Sequence, residues 1–107
     1  MHENCLRVQE ALRAIGIGSA VREFEVSART AEEAAQAIGC RVAEIAKSLI
    51  FMAGDEAILV LVGGDERADL QKLTQIVGKQ VYQPKGKEVK EITGFPIGGV
   101  PPLAHTN

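Results

Sequence analysis

Ile45-Ala46-Lys47-Ser48-Leu49-Ile50-Phe51 is the stretch on which the fold turns. Its length and apolar, partly β-branched character predict a strand. Side chains alternate along a strand, so Ile45, Lys47, Leu49 and Phe51 share one face. A lysine on that face has three options. It carries its ammonium out to water, meets an anion, or lies in a pocket that uses it. Gly54-Asp55-Glu56 then turns the chain into Ala57-Ile58-Leu59-Val60-Leu61-Val62. Two strands joined by so short a turn predict an antiparallel hairpin. The second strand is apolar at every position, which predicts a central strand covered on both sides.

Working outward, Gly63-Gly64-Asp65 closes the hairpin, and Asp69 can cap a helix carrying Leu70, Leu73, Ile76 and Val77 that ends at Gly78. Val81-Tyr82 reads as a short strand. A short helix from Gly86 to Thr93 ends at Gly94 and leads into Phe95-Pro96-Ile97-Gly98-Gly99-Val100-Pro101-Pro102-Leu103. Upstream, Cys5, Val8, Leu12 and Ile15 recur at helical spacing between Glu3 and Ile15, and Gly16 and Gly18 end that helix. Val21 to Val26 reads as a strand. Thr30-Ala31-Glu32-Glu33 is a capping box opening an alanine-rich helix that stops at Gly39, and Arg41 to Glu44 reads as one more turn. Helices interleave with hairpin signals, which predicts one α+β domain with a mixed sheet.

Composition narrows the class. Apolar residues make up 46% and charged residues 24% of 107 residues, which excludes a disordered chain and allows one small core. No apolar run approaches the roughly 20 residues of a membrane helix, and the N-terminus lacks the pattern of a signal peptide, so a cytoplasmic protein is expected. Cys5 and Cys40 lie far apart with no C-x-x-C motif, and read as buried free thiols. A net charge of −2 excludes a broadly basic nucleic-acid-coating protein. Locally, Lys79, Lys85, Lys87 and Lys90 stand against Glu88, a pattern that suits either phosphate contact or a solvated face.

Few catalytic motifs survive inspection. Gly16-Ile17-Gly18-Ser19-Ala20-Val21 follows a helix and precedes a strand, the reverse of a dinucleotide fingerprint. His2 and His105 are the histidines, both near the termini, so no metal and no cofactor are expected, and a Ser-His-Asp triad would have to use His105. What remains is Lys47 and the glycine-proline loop. Gly98 and Gly99 leave backbone N–H groups open to approach, and Pro101 and Pro102 stiffen the chain behind them. Such a loop can donate to a carbonyl oxygen or a phosphate, or simply make a tight turn.

Taken together, residues 24 to 104 resemble the YbaK/ProX family of aminoacyl-tRNA editing domains, also found inserted in bacterial prolyl-tRNA synthetases. The resemblance rests on Thr30-Ala31-Glu32-Glu33-Ala34-Ala35, the Lys47 strand, Leu59-Val60-Leu61-Val62 with Gly64-Asp65, Thr93-Gly94-Phe95, and Gly98-Gly99-Val100-Pro101-Pro102, in that order and spacing. It implies a mixed sheet curled toward a barrel and flanked by helices. It implies trans-editing, the hydrolysis of the ester between a wrong amino acid and the tRNA 3′ end, with tRNA for proline carrying Ala or Cys as the first expected substrate. The family's pocket lysine is Lys47 here, with Ser48 beside it. The family's G-x-x-x-P loop is Gly98 to Pro102, whose amides, including that of Gly99, hold the aminoacyl group. The family uses no metal, and the terminal ribose hydroxyl, or for cysteine the substrate thiol, activates water. The implied partners are the aminoacylated tRNA 3′ end and prolyl-tRNA synthetase, and neither membrane nor DNA is implied; on the phosphate reading of their charge pattern, Lys79, Lys85, Lys87 and Lys90 would contact the tRNA backbone.

Family members run longer. Residues 1–107 are therefore expected to form a single editing domain that lacks the C-terminal part of the family fold. Ala104 stands where many members have glycine and Ser27 where many have histidine, so the loop and the pocket mouth are expected to differ. The alternative is a non-catalytic module that keeps the pocket and binds tRNA or a synthetase without hydrolysis.

Overall fold

The computed structural model describes residues 2–24 and 30–106. Among the described residues, four helices accompany a three-stranded sheet: α1 (Glu3–Ala14), α2 (Ala31–Ile38), β1 (Ala46–Ala53), β2 (Glu56–Gly63), α3 (Leu70–Val77), β3 (Val81–Tyr82) and α4 (Gly86–Thr93), with a 3₁₀ turn at Val42–Glu44 before β1. The α+β class holds. Both strand pairings are antiparallel, and the parallel pairing that a mixed sheet needs is not found among the described residues. Val21 to Phe24 forms no strand; the rest of that segment, and Ser27, lie outside the described residues.

Local chemistry explains the helix boundaries. The Thr30 hydroxyl accepts from the Glu33 amide at 3.1 Å, and the Asp69 carboxylate accepts from Gln71 and Lys72 at 3.1 and 3.2 Å, each satisfying orphan first-turn donors. The helices α2, α3 and α4 stop at Gly39, Gly78 and Gly94. At α1 the Glu23 carboxylate accepts from the His2 N–H at 2.6 Å, and that bond holds its pKa below the usual carboxylate range. Burial, then the hydrogen bond and charge of Glu23, push the Cys5 thiol up. Cys5 and Cys40 are free and half-buried rather than fully buried.

The strand order is β2-β1-β3, so the central strand is β1 and not β2. This corrects the expectation from apolar content. The second half of β1, Ile50 to Ala53, is buried on both faces. Phe51, Ala53 and Val81 form a core cluster, with Leu49, Ile58, Val60, Ala68 and Leu73 packed against it. In register, Phe51 faces Ile58 and Leu49 faces Val60. The other face of β2 leaves Leu59 38% and Leu61 59% exposed. Apolar side chains on both faces show that a strand can be covered, not that the fold covers it.

Gly64 joins the hairpin to the elements before it. Its N–H donates to the Ile45 carbonyl at 2.7 Å. A Cβ there would collide with the Val42 carbonyl oxygen and crowd Ala31 and Ile45 at 3.1 Å. Only glycine admits this approach, which sets α2 and the 3₁₀ turn against the Lys47 end of β1.

Candidate functional site

Among the described residues, strand bonding leaves one edge of β1 partly unpaired. Gly64 donates to Ile45 on the β2 side, and Gly54 donates to Gln80 at 3.2 Å on the β3 side. Backbone groups alternate sides along an antiparallel strand. Odd-numbered residues of β1 therefore bond toward β2, and even-numbered residues face β3. Since β3 reaches only Met52 and Ala53, the N–H and C=O of Ser48 and Ile50 point along an edge that no described strand covers.

That edge opens on a pocket of about 560 Å³. Its walls are β1 from Ile45 to Phe51, Thr30, Ala31 and Ala34 from the start of α2, Arg67, Ala68 and Leu70 before and within α3, Gln83, Pro84 and Val89 around α4, and Ile97, Gly98 and Val100 of the glycine-proline loop. The structure thus brings Lys47, Ser48 and Gly98 together from distant parts of the chain. The wall contains no histidine, cysteine or carboxylate among the described residues. His105 is used elsewhere: its Nε2 lies 2.6 Å from the Pro101 carbonyl oxygen, and its ring sits 6.4 Å from Phe95.

Lys47 is half-buried at the start of the core-facing row of β1. Its ammonium donates to the Glu66 backbone carbonyl at 2.7 Å. Among the described residues it makes no ion pair, the salt bridges being Arg41–Glu44 and Lys79–Glu56. The head is therefore held by a neutral acceptor, and no described residue compensates its charge or takes its other two donors.

The loop is pinned at both ends. Phe95 is buried, with the Arg7 guanidinium 4.3 Å above its ring centre. The Gly99 N–H donates back to the Pro96 carbonyl at 2.9 Å, so it closes a turn instead of facing the pocket. Gly98, at φ 83°, lines the pocket, and its N–H has no acceptor among the described residues. Pro102 is exposed and is not part of the pocket wall. Ala104 takes a left-handed backbone, φ 70°.

The four lysines are placed differently with respect to the pocket. Lys79 pairs with Glu56 at 3.4 Å beside the hairpin tip, roughly 20 Å along β1 from Lys47 at strand rise. Lys85, Lys87 and Lys90 are exposed on or at the cap of α4, whose Val89 lines the pocket. Sequence reasoning missed Arg67, because it falls in an irregular segment with no periodicity to place it.

Residues 25–107 match the family described as the aminoacyl-tRNA editing domain. The chain is 46% identical over 88 residues to the uncharacterized protein YwhH of Bacillus subtilis, covering 79% of this chain and 56% of YwhH. It is 39% identical over 80 residues to a proline–tRNA ligase of Thermosipho melanesiensis, covering 74% of this chain and 14% of the ligase. A solved structure described as a "putative trans-editing enzyme for prolyl tRNA synthetase" superposes with a TM-score of 0.95 at 47% identity, over 100% of this chain and 69% of that one. The chain thus spans about half of YwhH and a small part of the ligase it matches. Family match, likeness to solved structures and the shared fold agree: this chain belongs to the aminoacyl-tRNA editing domain family.

Proposed function

We propose that this domain hydrolyses the ester joining a wrongly attached amino acid to the 3′ end of a tRNA, with tRNA for proline carrying alanine or cysteine as the first candidate. One observation carries the reading: a pocket at the bare edge of β1 holds an ammonium with no counterion among the described residues and no general base in its wall.

Such a pocket suits a reaction that needs positioning and charge stabilisation more than a protein nucleophile. Water attacks the ester carbonyl carbon, the bond to the ribose oxygen breaks, and a proton passes to that oxygen. Lys47 and the Gly98 N–H are placed to hold oxygen atoms on which negative charge grows. The edge groups of Ser48 and Ile50 offer donors and acceptors to the aminoacyl group. The neighbouring ribose hydroxyl, or the thiol of a cysteinyl substrate, supplies the activation that the wall lacks. A volume of about 560 Å³ fits an aminoacyl-ribose and excludes a folded polynucleotide, so only the tRNA terminus enters. Likeness to part of a proline–tRNA ligase supports tRNA for proline as the target. An editing site is needed because one methylene separates amino acids by only about 1–3 kcal/mol in a synthetase pocket.

The test is a deacylation panel with alanyl-, cysteinyl- and seryl-tRNA for proline, set against correctly charged prolyl-tRNA. Release of alanine or cysteine, with proline retained, is the expected result. Binding of every tRNA without release of any amino acid would replace the reading with that of a non-catalytic module.

A further inference from the structure

The pocket wall is electrostatically one-sided in a way the ester chemistry does not use up. It carries two cations, Lys47 and Arg67, and no carboxylate among the described residues. The two are linked through the backbone, because the Lys47 ammonium bonds the carbonyl of Glu66, the residue before Arg67. That segment is fixed on both sides. The Glu66 N–H donates to the Gly63 carbonyl at 3.0 Å, and Ala68 packs against the core cluster. Acidic groups nearby do not neutralise the pair. Asp69 spends its carboxylate capping α3, and among the described residues neither Asp65 nor Glu66 forms an ion pair with either cation.

Two cations lining one pocket with no acidic wall residue among the described residues favour an anionic ligand, which lowers their mutual repulsion. A guanidinium offers a planar fork matched to two oxygens of a phosphate, whereas an ammonium acts as a point charge. We infer that Arg67 binds the phosphate of the tRNA's terminal nucleotide, fixing the depth at which the aminoacyl ester meets Lys47. The inference rests on the editing reading and deepens it by naming a phosphate-binding residue outside the Lys47 strand and the glycine loop.

The experiment uses two hydrolysis-resistant analogues, 3′-alanylamino-3′-deoxyadenosine with and without a 5′-phosphate, titrated calorimetrically into the protein. The wild-type protein is expected to bind the phosphorylated analogue about ten- to a hundredfold more tightly, the range of one charge-assisted pair. Arg67→Ala brings that ratio close to one, Arg67→Lys restores part of it, and thermal melts confirm that both variants fold. An unchanged ratio in Arg67→Ala, or a wild-type ratio near one, overturns the assignment. Hydrolysis of alanyl-tRNA is scored separately. A phosphate preference without hydrolysis would uphold the Arg67 site and reject the editing reading.

Discussion

The Lys47 ammonium donates to the Glu66 carbonyl oxygen at 2.7 Å, tying the first residues of the central strand to the segment that follows the hairpin. A backbone carbonyl holds the lysine head in place without cancelling its charge. An ion pair in the same place would spend that charge on structure.

Lys47→Ala is expected to lower deacylation by about a hundredfold or more, comparable to losing one donor from an oxyanion site. The same change costs about 1 kcal/mol of stability or less, the worth of one hydrogen bond. Lys47→Arg is not expected to rescue activity, because the longer planar head cannot occupy the same point. Single-turnover deacylation with a parallel thermal melt checks both, and full activity in Lys47→Ala would remove the residue from the mechanism.

Gly64→Ala is expected to destabilise the domain by about 1–3 kcal/mol, the usual cost of forcing atoms into a packed site. The added methyl meets the Val42 carbonyl, so the backbone itself has to shift. Because the strain falls at the Lys47 end of β1, ligand affinity should drop as well. Chemical denaturation and analogue binding test this, and an unchanged midpoint would contradict the packing described.

Ala104→Gly points the other way. Ala104 sits at φ 70°, where an L-residue loses about 1–2 kcal/mol and glycine does not. Glycine's greater freedom in the unfolded chain returns part of that gain, leaving about 0.5–1 kcal/mol of net stabilisation and a Tm rise of a few degrees. Differential scanning calorimetry reads this directly. A lower Tm would show that the left-handed conformation is not strained.

Salt dependence should separate the lysines. Removing Lys87 or Lys90 on α4 is expected to flatten the slope of log affinity for tRNA against log salt by about 0.7–0.9 for each phosphate that is no longer neutralised. Lys79→Ala should change it less, since Lys79 is held by Glu56 at the hairpin tip. Equal slopes for all three variants and the wild type would take α4 out of the tRNA surface.

Most elements of this domain were legible in the chain because their causes are local. Thr30 and Asp69 announce helix starts, Gly39, Gly78 and Gly94 announce ends, and Gly54-Asp55 turns one apolar strand into the next. The motif order from Thr30 to Pro102 carried the family, since spacing along the chain records which pieces meet. The rank of the two long strands was not legible. Both are apolar over most of their length, and which one is central depends on where Val81-Tyr82 docks, a pairing between residues about thirty positions apart.

The amino-acid sequence alone settled the helices and the hairpin, consequences of short-range sterics, capping and periodicity, and its motif order carried the family resemblance that singles out Lys47. Folding in three dimensions settled what Lys47 touches, that Arg67 lines the same pocket, that the amide of Gly99 closes a turn while that of Gly98 has no acceptor among the described residues, and that no described strand covers one edge of β1 at Ser48 and Ile50. Those facts arise from register and from packing between segments distant in the chain. Hydrogen-bond partners across such distances depend on where whole elements come to rest, which no local pattern encodes.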